Sequence, residues 1–283
     1  MRVTLLAVLT VALLATSLPG QTTEPPAATN QLLHKIADSF GMLRTTDEED
    51  MIATLRFWAT GTMTVEGRPC RLANYAASVN YHVPGARIDY ACADASGKAG
   101  PRRIEVVAGM FAWNEDSPGG RATPAAASAD ERLLNLWTLP HAAVKAAVAA
   151  GARTVVSTEG GATVLTLPVP SMDASMRLTL NSKPIAASGS QDLVKTALPA
   201  GTIIERVETR RGNVVTETTY ADFGDWNGAD YYSDVVFPRR ITQKQGGVTI
   251  LDLTVTKTNT YNPYVVMPVP QNIRAAGATA LNR

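Results

Sequence analysis

The chain has 283 residues, 45% of them hydrophobic, with 26 Lys and Arg against 25 Asp and Glu. This composition is globular rather than disordered, and its length suits one large β domain or two small ones. Near-neutral charge without a Lys/Arg run provides no long-range field for phosphates or anionic lipid, so no nucleic-acid partner is expected.

The N-terminus has the order of a secretion signal. Arg2 is followed by the apolar run Leu5–Leu14, interrupted only by Thr10; small residues follow at Ala15 and Ser17, and Pro19-Gly20 ends the segment. The run is too short for a membrane span of about 20 residues, although an uncleaved anchor helix is the alternative. Residues 1–20 are therefore read as a signal peptide, cleaved after Ser17 or near Gly20, and the protein as periplasmic or secreted, not integral to the membrane after cleavage. No Cys near the cleavage region offers a lipid-attachment site. Cys70 and Cys92, the only cysteines, suit a disulfide in an oxidising compartment, with two buried free thiols as the other reading.

Residues 21–45 read as a flexible leader and a short helix. Asn30 is placed as the cap of an amphipathic stretch, Gln31–Phe40, that ends at Gly41. Thr46 and Glu49 form a capping-box pattern before Met51 and Ile52, predicting a helical turn or a polar loop. Residues 46–274 read as a single, mostly antiparallel β domain of α+β class. Period-two segments predict strands over 57–65, 71–81, 87–92, 102–107 and 110–113, with an exposed loop over 114–128.

The strongest helix signal is central: Asp130 opens one helix, Pro140 reopens another through Ala150, and Gly151 caps it. Strands are then predicted over 154–157, 163–169, 176–180, 202–209, 214–220, 235–244 and 248–257, separated by turns such as Glu159-Gly160-Gly161 and Gln245-Gly246-Gly247. Leu251, Leu253 and Val255 share one strand face, whereas Asp252, Thr254 and Thr256 share a wet one. Glycine turns between short strands argue against a βαβ plan. Residues 275–283 are predicted to be a loose tail.

No catalytic residue, metal ligand set or cofactor is expected. The three histidines, His34, His82 and His141, are scattered in sequence, and no Gly-x-Ser-x-Gly elbow is present. Asp222-Phe223-Gly224 matches a kinase triplet without the accompanying kinase motifs. Asp222, Asp225, Asn227, Asp230 and Asp234 concentrate oxygen ligands without EF-hand spacing and read as a solvated loop. The candidate ligand-binding residues are aromatic: Trp58, Tyr75, Tyr81, Tyr90, Phe111, Trp113 and Trp137. They either line an apolar pocket or fill the core between sheet and helix.

The segment Val236-Phe237-Pro238-Arg239-Arg240-Ile241-Thr242-Gln243-Lys244-Gln245-Gly246-Gly247, with Leu251–Thr256, Leu136–His141 and Val269–Arg274, resembles a family of exported bacterial domains. In that family the domain often precedes a metallo-β-lactamase-fold hydrolase. The resemblance implies the half-barrel of periplasmic lipoprotein carriers, a curved antiparallel sheet with a central helix packed on its concave side. The hydrolase domain and its histidine-rich ligand run are absent from this sequence, so that activity does not carry over. The expected function is a non-catalytic binding module for an apolar or amphipathic, lipid-like ligand. The alternatives are a structural domain that docks a protein partner, and an enzyme with an unrecognised site.

Overall fold

The computed structural model describes residues 26–43, 52–189, 197–226, 235–260 and 262–281. The signal segment, the Thr46–Glu49 capping pattern, and Asn227, Asp230 and Asp234 of the acidic run lie outside these residues. The class is α+β, mostly antiparallel β, built on one large open sheet. No helix among the described residues is long and apolar enough to cross a membrane.

Alternation of apolar and polar side chains produces a first meander: β1 (Thr54–Val65), β2 (Arg68–Asn80), β3 (Gly85–Ala93), β4 (Ala99–Ala108), β5 (Phe111–Glu115) and the short β6 (Ala122–Pro124). Helices α2 (Ala129–Trp137) and α3 (Pro140–Ala150) then carry the chain to the opposite edge of the sheet. A second meander runs back through β7 (Val155–Glu159), β8 (Ala162–Pro168), β9 (Ser175–Leu180), β10 (Ile204–Arg211), β11 (Val214–Asp225), β12 (Val236–Gln245) and β13 (Val248–Asn259). The order across the sheet is β6-β5-β4-β3-β2-β1-β13-β12-β11-β10-β9-β8-β7, with Ser188–Gly189 pairing parallel to β11. First and last strands therefore meet in the middle, with Met63 opposite Leu251 and Gly61 opposite Leu253.

That seam requires a glycine. Gly61 has φ +137°, and a Cβ there would lie 2.0 Å from the Asp252 carbonyl oxygen. At one end of the β2–β3 hairpin, Cys70 and Cys92 form a disulfide with Cα atoms 5.3 Å apart.

The three helices that precede or follow the first meander bury their apolar sides in one core with the sheet. Helix α1 (Ala27–Ser39) contributes Leu33 and Ile36, α2 contributes Leu133 and Leu136, and alanine-rich α3 contributes Ala142, Ala143, Ala146 and Ala147. Alanine lets the α3 backbone approach α1 and β8 closely. Gly151, with φ +58°, ends α3.

Three local expectations need correction. Helix α1 begins at Ala27 rather than after Asn30, because Pro26 presets the turn and its carbonyl accepts N–H bonds from Thr29 and Asn30. The segment predicted as an exposed loop contains β6, which pairs with β5, and a short 3-10 turn at Ala126–Ser128. The C-terminal tail is helical as α4 (Gln271–Leu281). It covers a second, small core on the opposite face of the sheet, where Ile273 joins Ile104, Val106, Ala108 and Trp113.

Candidate ligand cavity

A cavity of about 720 Å³ lies between the sheet and α2. Its lining reaches from Asn114 on β5 to Thr218 on β11. In a flat sheet those strands would stand roughly 34 Å apart at a spacing of about 4.8 Å. The sheet must therefore bend around the cavity.

The apolar wall follows from strand periodicity. Phe57 on β1, Tyr75, Ala77 and Val79 on β2, Ile241 on β12 and Leu253 on β13 point to the same face, and Leu136 and Leu139 oppose them from the helical side. The Phe57 ring centroid lies 6.0 Å from that of Tyr75 and 5.3 Å from that of Phe237. These positions combine small side chains with aromatic ones, which leaves space that larger residues would fill.

One end of the cavity is polar. The Tyr90 hydroxyl donates to Glu105 Oε1 at 2.9 Å. Burial, with the adjacent Glu105 carboxylate, pushes the Tyr90 phenol up to about 12 and also raises that of Tyr75, so both remain protonated. Arg132 of α2 lies 3.4 Å from Glu105 and also donates to the carbonyls of Val106 (3.1 Å) and Trp113 (2.8 Å) and to Asn114 Oδ1 (2.6 Å). This one side chain clamps α2 to β4 and β5, although desolvation lowers its pKa. Further along, Gln243 Nε2 donates to Asn135 Oδ1 and Thr218 Oγ1, both at 3.2 Å.

Of the seven aromatic candidates, the fold brings Tyr75 and Tyr90 into the lining. The other five lie elsewhere. Trp58 points away from the helices, one position out of phase with Phe57, between Arg56 and Lys257, each 5.1 Å from its ring. Tyr81 follows the end of β2 and packs edge-on against His141 of α3, with ring centroids 6.0 Å apart. Phe111 abuts Gly277 of α4, and Trp113 is fully buried in the second core, where its indole N–H donates to Glu115 at 2.9 Å. Trp137 belongs to the main core.

Sequence reasoning does not select Phe57, Glu105, Arg132 or Gln243. Phe57 is detectable from the phase of its strand. The three polar residues carry no local signal, because only the tertiary arrangement gives them an inward orientation.

Among the described residues, no group of three or more His, Cys, Asp or Glu side chains could hold a metal ion. Asp222 and Phe223 lie within β11, and Phe223 is a core residue, not part of a phosphate site. His141 is fully buried, away from the cavity lining. No family model and no curated protein matches this chain.

Proposed function

We propose that the protein is an exported, non-catalytic carrier that holds an amphipathic ligand in the bend of its sheet, beneath α2 and the turn into α3. The observation that carries this reading is the cavity itself: its volume falls within the range of about 300–1,000 Å³ common to small-molecule sites. An apolar wall beside a set of polar groups suits an amphipathic ligand with a hydrocarbon body and a polar end. The bend of the sheet and the packing of α2 and α3 against one of its faces also favour the half-barrel of periplasmic lipoprotein carriers. The disulfide and the signal-like N-terminus favour an oxidising, extracytoplasmic compartment.

Native mass spectrometry of the protein purified from the periplasm or culture medium tests the reading. A retained lipid mass that is lost in Ala77→Phe, which fills the cavity from its wall, is the expected result. A protein that copurifies with no lipid and takes up none from mixed-lipid vesicles removes the proposal.

A further inference from the structure

The charge arrangement of the cavity restricts its ligand further, on the assumption that it is a ligand cavity. Three arginines line it, and each is already matched. Arg102 pairs with Asp89, Arg103 with Glu66 at 2.8 Å, and Arg132 with Glu105 while spending other donors on two carbonyls. Glu115, also in the lining, is held by Arg87 at 3.0 Å. The remaining charged lining residue among those described is Glu131, an exposed carboxylate in the first turn of α2. Among the described residues, the lining thus adds no uncommitted cation and one extra negative charge. A ligand carboxylate or phosphate would enter without a counter-charge, which is costly in a partly desolvated site.

Two buried polar groups face the cavity with hydrogen-bonding capacity to spare. Tyr75 is 7% exposed, and its hydroxyl has no hydrogen-bond partner among the described residues. It stays protonated and therefore offers a donor. Gln243 is 6% exposed; its amide nitrogen is used, whereas its oxygen has no partner among the described residues. They present one donor and one acceptor on strands three apart in the sheet order, which suits an uncharged polar end with both ester and hydroxyl groups.

We infer that the cavity selects a neutral lipid with an ester or hydroxyl polar end and discriminates against fatty acids and phospholipids. The test measures binding of 1-monopalmitoylglycerol and of palmitate at pH 8 to the delipidated full-length mature protein. The two probes share an acyl chain and differ in charge. Preference for the glyceride by about tenfold or more, with a loss of about three- to tenfold in Tyr75→Phe, supports the inference. Glu131→Lys is expected to narrow the preference by strengthening palmitate binding. Equal or tighter binding of palmitate by the unaltered protein overturns the selectivity while leaving the carrier reading intact. Binding of neither probe, nor of phosphatidylglycerol, overturns both.

Discussion

His141 Nε2 donates to the carbonyl oxygen of Val236 at 3.0 Å, tying the first turn of α3 to the start of β12. The carbonyl only accepts, so Nε2 carries the proton of a neutral imidazole. Phe40, Tyr81 and Phe237 surround the ring, with centroids 5.7, 6.0 and 5.7 Å away, and Nδ1 has no hydrogen-bond partner among the described residues. Burial pushes the His141 pKa down to about 4.

A pH dependence follows. The unfolded chain binds a proton at an ordinary histidine pKa of about 6.5, whereas the folded chain resists protonation until about pH 4. The resulting stability is fully present above pH 6.5 and is lost as pH falls through this window. Lys145, one turn along α3, has its pKa lowered to about 8 by burial and stays charged throughout, so it does not contribute. Between pH 7 and 4.5 the loss from His141 should be about 2–3 kcal/mol. Urea unfolding at both pH values should show a smaller difference for His141→Gln, which keeps an amide donor for Val236. Equal pH differences in the two proteins would refute the assignment.

Asn181 is the most heavily used polar side chain in the second meander. It is 1% exposed; Oδ1 accepts the N–H groups of Thr202 (3.0 Å) and Ile203 (2.8 Å), while Nδ2 donates to the carbonyls of Lys183 and Pro199, both at 2.8 Å. Asn181→Ala leaves four backbone groups without this partner. A loss of about 2–4 kcal/mol in chemical denaturation is expected. A change below about 0.5 kcal/mol would mean that water replaces the side chain at little cost.

Gly61→Ala should be among the most damaging single-methyl changes. The new Cβ meets the backbone of Asp252 rather than a movable side chain, and φ +137° disfavours any residue with a Cβ. The β1–β13 seam must shift, at a cost of about 3 kcal/mol or more. Thermal unfolding measures this, and hydrogen exchange should show the loss of protection concentrated in these two strands.

The Cys70–Cys92 bridge constrains a hairpin between residues 22 positions apart. Combining Cys70→Ala with Cys92→Ala should lower stability by about 2–4 kcal/mol. The reduced wild-type protein should match the double variant. A double variant as stable as the oxidised protein would show that β2–β3 pairing alone supplies the constraint.

Much of the fold was legible because strand signals are local. Turns such as Gln245-Gly246-Gly247 and the alternation of Leu251, Leu253 and Val255 locate β12 and β13 without reference to any other part of the chain. Pro140 and Gly151 likewise mark the limits of α3. The aromatic candidates were harder to interpret. Side-chain phase places Trp58 and Phe57 on opposite faces, but it does not reveal that the face opposite α2 is itself covered farther along the sheet. Helix α4 provides that cover, burying Trp113 and packing against Phe111.

Local patterns in the chain were enough for the α+β class, the antiparallel meanders, the central helices and the candidate disulfide pair. Each depends on residues close together in the chain or on the pairing of the only two cysteines. Long-range packing was needed to establish that β1 meets β13, that the sheet bends, and that Tyr75, Glu105, Arg132 and Gln243 face one cavity. Those facts arise from contacts between residues far apart in the chain: 198 positions for Trp58 and Thr256 across the β1–β13 seam, and 108 for Asn135 and Gln243. No periodicity within a single segment encodes such a meeting; it emerges only when distant strands pair and α2 packs against the sheet.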